Sequence, residues 1–350
     1  MAARTLAPSY QVDTVFFGGG TPTLIGASAL CDLLARIRDE FDVAANVEVT
    51  TEANPDSVDP QMLEELVTGG FTRISIGMQS VAPHVLATLE RTHTPGASST
   101  VAIAARAAGF DHVNLDLIYG TPTESNDDVH RSLDEVLDAG VDHVSAYSLI
   151  VEDGTALARR VARGEIAEPD DDVGAERYEL IDDRLSHSGL RWYEVSNWST
   201  PGSECRHNLA YWRNRDWWGV GPGAHSHRAG RRWWNVKHPR TYAARVSAGM
   251  SPAEGHEETT SEQQRLERLM MGLRVREGVL ANEVECPQSA VLDLAERGLV
   301  EVEPAHEPAA RMVLTRRGRL LADAVARELA VISDAPAGMD APTAKQANPT

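Results

Sequence analysis

The chain has 350 residues, 42% of them hydrophobic, with a formal net charge of −19 and a mean hydropathy of −0.30. That length suits a large core and two or three domains, and that charge argues against wrapping a nucleic-acid backbone. No stretch is long and apolar enough to span a bilayer, MAARTLAPSYQVD lacks a signal-peptide core, and Cys31, Cys205 and Cys286 are too far apart for a disulfide framework, so a reducing cytoplasm is expected.

Val12, Val15, Phe16 and Phe17 read as a short buried strand, and Gly18-Gly19-Gly20-Thr21-Pro22-Thr23 follow it at once. Glycine lets a backbone approach a ligand closely, although a tight βα turn asks for the same residues. A helix opened by Ser28 sets Leu30, Leu33, Leu34, Ile37 and Phe41 on one face. The unit then repeats. A strand at Asn46–Thr51 ends in Glu52, Asn54 and Pro55. Asp59 caps a helix with Pro60 in its first position, and Gly69–Gly70 end it. A strand at Arg73–Gly77 runs into Met78, Gln79 and Ser80, and a helix through Leu86 and Leu89 reaches Arg91 and His93. An alanine-rich helix, Val101–Ala108, leads to a strand at His112–Leu117 that carries Asn114 and Asp116. A helix with Val129, Leu133, Val136 and Leu137 leads to a strand at His143–Ser148. Five strands separated by helices predict a parallel sheet in an open, partial (β/α) barrel.

Polar residues stand where these strands end: the glycines, Glu52, Gln79 and Asp116. Each alone suits a turn. Four in step at one rim suit a small zwitterionic, ribose-bearing ligand. Carbonyls beside Gly19 and Gly20 can receive an ammonium, carboxylates can accept ribose hydroxyls, and Arg91 can fork onto a ligand carboxylate.

Further on, Gly249–Thr260 reads as a polar linker. Ser261 and Gln264 form a capping-box pattern ahead of Leu266, Leu269, Met270 and Leu273. A second helix is expected over Ser289–Arg297, a hairpin over Leu299–Glu303 and Arg311–Leu314, and a last helix capped by Thr315 and running through Leu320, Leu321 and Val325. This is a winged-helix outline. Arg311, Arg316, Arg317 and Arg319 lie among Glu301, Glu303 and Glu307, so no segregated basic face supports DNA binding. Asp334–Thr350, rich in Ala and Pro, reads as a disordered tail.

GGGTPT, TEANPDS (Thr51–Ser57), RISIGMQS (Arg73–Ser80), LATLERTH (Leu86–His93) and NLDLIYGTPTES (Asn114–Ser125) resemble, in order and spacing, the radical S-adenosylmethionine (SAM) proteins of the oxygen-independent coproporphyrinogen III oxidase group. The resemblance implies that Gly19, Gly20 and Thr21 hold the methionine end of SAM, with Glu52, Gln79, Arg91 and Asp116 as its other polar contacts. The hexapeptide HNLAYW, His207–Trp212, resembles the HNxxYW signature of the HemW-type haem chaperones within that group. His207 is then the expected ligand of the haem iron, and Tyr211 and Trp212 offer flat faces to the porphyrin. A buried hydrogen-bonded histidine would look the same in sequence. His225 is the next candidate, within a glycine-rich Gly219–Ser226 segment whose backbone can lie close to a flat ligand, and Cys205 a weaker one.

Members of the group carry a CxxxCxxC motif upstream of the glycine motif. Its thiolates hold a [4Fe–4S] cluster, and the fourth iron takes SAM. Here no cysteine precedes Gly18. MAARTLA reads as the tail of a helix, and because the remaining SAM contacts are intact a misplaced start is expected, with a truncated paralogue as the alternative. A missing first strand would leave one sheet edge uncovered.

The resulting expectation is a radical SAM partial barrel over 1–160, a barrel extension with the haem-binding segment over 161–250, a winged-helix-like domain over 251–333 and a tail over 334–350. The expected function is to bind haem and pass it to an acceptor haem protein, whether membrane-associated or soluble. Two alternatives stand beside it: oxidative decarboxylation of coproporphyrinogen III, and a cluster-less scaffold that binds neither ligand.

Overall fold

The computed structural model describes residues 10–91, 93–303 and 311–333. The helix tail read in MAARTLA, Glu307 and the tail at 334–350 lie outside them. Strands β1 (Gln11–Phe17), β2 (Asp42–Ala53), β3 (Arg73–Gln79), β4 (His112–Tyr119) and β5 (His143–Ser148) are parallel neighbours in that order. Two antiparallel strands extend the sheet: β7 (Asn197–Ser199) beside β5, then β6 (Arg191–Glu194). All five strands expected before residue 150 are therefore present, and two later ones bring the sheet to seven. Segments this short carry too few residues for a period of two to show.

Strand alternation gives the curled sheet two unlike faces. Val49, Ile74, Ile76, Leu115 and Val144 form the apolar face and are buried. Over it lie α1 (Ala27–Glu40), α2 (Pro60–Gly69), α4 (Ala97–Ala108) and α5 (Asn126–Asp138), through Leu30, Leu34, Leu66, Ala102, Ala105 and Leu133. The other face is polar: Glu48, Thr50 and Glu52 from β2, Arg73 and Ser75 from β3, Asn114 and Asp116 from β4, His143 and Ser145 from β5.

Local chemistry sets the helix ends. Asp59 Oδ1 accepts the Met62 N–H at 2.8 Å, and Gly70 closes α2 in the left-handed conformation, as expected. α1 starts at Ala27 behind Gly26 with no side-chain cap, so Ser28 lies inside it and does not open it. The short α3 (Pro83–Thr88) stops before Arg91, which the sequence had placed on a longer helix.

After β5 come α6 (Ala156–Ala162) and α7 (Asp171–His187), then the short α8 (Arg206–Trp212). A second sheet is built from β8 (His225–Arg228), β9 (Arg231–Asn235) and β10 (Ala253–Glu258), with α9 (Pro239–Ser247) between the last two. The supposed linker at 249–260 thus contains a strand, hidden from sequence reading because it holds no large apolar residue and its four polar side chains are exposed.

The chain divides into two compact units between His256 and Glu257. The second has its own core of Leu269, Leu273, Val291, Leu294, Val325 and Leu329. In it α10 (Ser261–Leu273) is capped by Thr260 and Gln263, one residue ahead of the expected pair. The strands β11 (Val279–Leu280), β13 (Arg311–Leu314) and β12 (Val300–Glu303) form a small sheet beside α11 (Gln288–Glu296). Thr315 caps α12 (Arg316–Leu320), and α13 (Ala322–Ser333) follows after a break at Leu321. Among the described residues no helix is long and apolar enough to cross a membrane.

Candidate functional site

Of the expected rim residues, Gly19 at the end of β1, Glu52 near the end of β2 and Asp116 within β4 are brought together. Gly18 has to lack a side chain, because a Cβ there would meet the Phe16 ring at 2.5 Å. Gly19 takes φ +114 and donates its N–H to Glu52 Oε2 at 3.1 Å, while Thr21 donates to the Gly20 carbonyl. Burial raises the Glu52 pKa, the Gly19 N–H works against that rise, and the Asp116 charge adds to it. Asp116 accepts from Ser75 Oγ at 2.9 Å and Asn114 Nδ2 at 2.6 Å. Its pKa is raised by burial, with these hydrogen bonds opposing. Gln79 ends β3 at a register shift with φ +65, a conformation non-glycine residues adopt rarely. Arg91 is exposed, and among the described residues its guanidinium has no partner. The rim thus presents two carboxylates with raised pKa values and an open glycine backbone, and among the described residues no contact joins Arg91 to them. Carboxylates and open backbone carbonyls fit the ammonium and hydroxyl donors of a small ligand.

The residues of α8 take their positions from a carboxylate that sequence reading did not single out. Glu48, buried on β2, accepts the N–H groups of Arg206 at 3.1 Å and His207 at 2.9 Å and pairs with the buried Arg73 at 3.3 Å. Arg206 ties the helix further to the carbonyls of Asn46 and Asp13. His207 is consequently pinned against β1. Its ring stacks on Phe16 at 5.1 Å, Nδ1 shares a hydrogen bond with Thr14 Oγ1 at 2.8 Å, and Nε2 shares one with Tyr211 Oη at 3.0 Å. Both ring nitrogens are engaged, and burial lowers the pKa to about 4. The imidazole is neutral, but its one lone pair is already in a hydrogen bond.

Asn208 continues inward. Its Nδ2 donates to Tyr193 Oη at 3.2 Å; Tyr193 bonds His143 at 2.8 Å, and His143 bonds Asn114 Oδ1 at 2.7 Å. Asn114 holds Asp116, so one chain of hydrogen bonds runs from HNLAYW to the rim. Arg73, His143 and Tyr193 were also missed in sequence. The one available signal was the polar alternation Glu48, Thr50, Glu52 inside an otherwise buried strand.

Tyr211 is 40% exposed and lies edge-on between His207 and Trp217, each 5.0 Å away. Trp217 meets His227 at 4.8 Å. Trp212 is partly buried, and its indole N–H is buried without a hydrogen-bond partner. The glycine-rich loop serves β8: a Cβ on Gly219 would stand 2.1 Å from the His225 carbonyl oxygen. That glycine is explained by packing within the chain. His225 itself is exposed, stacked near Trp234 across the hairpin at 6.0 Å.

The cysteines do not converge. Cys31 lies on α1 facing the Glu65 carbonyl, Cys205 is buried beside Glu48 with its pKa pushed up to about 12, and Cys286 belongs to the core of the second unit. Among the described residues no group of His, Cys, Asp or Glu could hold a metal ion. These residues do not fit a [4Fe–4S] cluster.

Comparison with known proteins agrees with this geometry. The radical SAM superfamily profile matches residues 1–136. The heme chaperone HemW of Mycobacterium tuberculosis (H37Rv) is 53% identical over 94% of this chain and 83% of its own length. The heme chaperone HemW of Bacillus subtilis is 32% identical over 92% of this chain and 87% of its own. Among solved structures, the coproporphyrinogen III oxidase HemN of Escherichia coli, a radical SAM enzyme, superposes with a TM-score of 0.78 over 93% of this chain and 79% of that one. At 21% identity it shares the fold. A seven-stranded curled sheet with this polar inner face, and sequence identity carried along nearly the whole length, place the chain in the HemW haem-chaperone family, on a radical SAM scaffold.

Proposed function

We propose that this protein binds haem and passes it to a haem-requiring acceptor protein. The observation that carries the reading is the run of rings from His207 through Tyr211 and Trp217 to His227, with His225 two residues away on the same hairpin. Such a run gives a porphyrin flat apolar contacts and imidazoles within one segment. His207 and His225 are the two candidate iron ligands, and Tyr211 and Trp212 supply contact area. Gly19, Gly20, Thr21, Glu52, Gln79, Arg91 and Asp116 form the proposed SAM site. SAM, when bound there, would bring an adenosyl group and a sulfonium. Arg91 would pair its carboxylate, and Glu52 and Asp116 would accept its donors. Among the described residues no group of cysteines stands where it could hold a cluster.

Titration of the purified chain with iron protoporphyrin IX tests the reading. A saturable Soret change at about one haem per chain is expected, weakened in Tyr211→Ala without a change in ligand type. Absence of a saturable site removes the haem reading. Protoporphyrinogen formation from coproporphyrinogen III would put the oxidase in its place.

A further inference from the structure

We propose that His225, at the start of β8, is the axial ligand of the haem iron, and that the basic stretch around it receives the haem propionates. This rests on the haem reading above and names the ligand within it. Two histidines compete for the role, and their surroundings differ. His207 would have to give up Thr14 or Tyr211 before either nitrogen could reach a metal, and it lies stacked on Phe16 against β1. His225 is exposed, and among the described residues neither of its ring nitrogens has a hydrogen-bond partner. Iron needs a neutral imidazole lone pair that is reachable. Of these two, His225 offers one without breaking an existing bond.

The mount is rigid. His225 pairs with Trp234 in the β8–β9 register. The preceding loop is fixed by Gly219 N–H to Ser226 Oγ at 2.9 Å, Gly221 N–H to Tyr242 Oη at 3.0 Å and Asn235 Nδ2 to the Gly221 carbonyl at 2.9 Å. A ligand held this way loses little freedom when the metal arrives. The indole of Trp234 lies beside the imidazole with its plane 28° away. It passes close over Gly255 of β10, where a Cβ would stand 2.4 Å from the ring. An apolar wall therefore stands next to the candidate ligand.

Charge singles out the same segment. Between positions 206 and 245 there are nine arginines and lysines against one carboxylate, Asp216, in a chain of net charge −19. Arg231 and Lys237, on and just beyond β9, are exposed. A dianionic porphyrin matches such a local cationic field; a neutral apolar ligand would have no use for it.

The test compares histidine variants of the whole chain, titrated with iron(III) protoporphyrin IX. Because His225 is exposed and unbonded, His225→Ala is expected to melt like the parent. It is expected to lose the imidazole-type Soret and low-field magnetic signatures and to bind haem at least tenfold more weakly. His207→Ala is expected to keep the signature. His225→Gly should regain it when free imidazole is added, which a merely structural role would not do. The dimethyl ester of the same haem is expected to bind about tenfold more weakly to the parent. The assignment is overturned if His225→Ala keeps the parent's spectrum and affinity, or if His207→Ala alone loses them. Equal binding of haem and its ester overturns the role of the basic stretch. A parent chain with no saturable site overturns the haem reading itself, an outcome distinct from a binding parent with an indifferent His225.

Discussion

Burial keeps the His207 imidazole neutral, with its pKa lowered to about 4 and the nearby Glu48 charge only partly opposing the shift. The unfolded chain has an ordinary histidine near 6.5. Between those values the unfolded chain takes up a proton that the folded one refuses, so this residue makes the fold less stable as pH falls from about 6.5 to about 4. His143, buried between Asn114 and Tyr193, is shifted the same way. The carboxylates Glu52, Asp116 and Glu194, the last fully buried, have raised pKa values and act in the opposite sense. The readout is therefore a difference. In His207→Gln, the denaturant midpoint between about pH 6.5 and 4.5 should fall less steeply than in the parent. Identical slopes would mean that the imidazole already titrates freely in the fold. None of this was legible in sequence. HNLAYW marks His207 as notable, but Thr14, Phe16 and Glu48 lie 193, 191 and 159 positions away, and only the folded sheet brings them together.

At the scale of elements, the βα alternation up to His143–Ser148 could be read from apolar periods, glycine stops and the Asp59 cap, since each of those signals is local. The β6–β7 pair and β10 could not, because their stability comes from the neighbouring strand and not from their own pattern. The rim is intermediate. Glu52 and Gln79 stand at the ends of β2 and β3 as expected, but Asp116 lies inside β4, where the polar row that links Ser75, Asn114 and Asp116 across β3 and β4 orients it. Arg91, in the turn after α3, is the proposed SAM contact with least structural duty, being exposed and unpartnered among the described residues. Arg91→Ala should leave the melting temperature unchanged. It should weaken SAM binding in a calorimetric titration by about tenfold or more, the loss of one hydrogen-bonded charge pair of roughly 1.5–3 kcal/mol. Equal affinity in the variant would take Arg91 out of the site. Asp116→Asn tests the other end of the rim. It keeps the shape and removes the charge, but it also places a donor where Ser75 and Asn114 donate, so a fall in both stability and binding is expected.

The whole molecule is two bodies with different demands. The first carries a polar face on its large sheet and a ring-rich segment that runs from α8 to its second sheet. The second, from Glu257 on, builds a separate core around α10, α11 and α13 with Met312 and Leu314 of its hairpin buried beneath them. A domain this small buries a modest fraction of its surface and sits close to the stability limit. Its closures therefore matter. The N–H of Gly318 is capped by Thr315 Oγ1 at 3.0 Å, and a Cβ on Gly318 would stand 1.9 Å from the Leu299 carbonyl oxygen. Gly278, at φ +63, faces the Met312 carbonyl with the same lack of room. A fragment of residues 257–333 is expected to melt cooperatively on its own, because its buried cluster is built from its own residues. Gly318→Ala in that fragment is expected to cost about 1–3 kcal/mol, as overpacking against an immovable backbone does. For a small domain that shift is large enough to remove most of the cooperative transition. A fragment with no cooperative melt would show that the second core depends on the first unit. An unaffected Gly318→Ala fragment would show that the α12 turn relaxes away from Leu299.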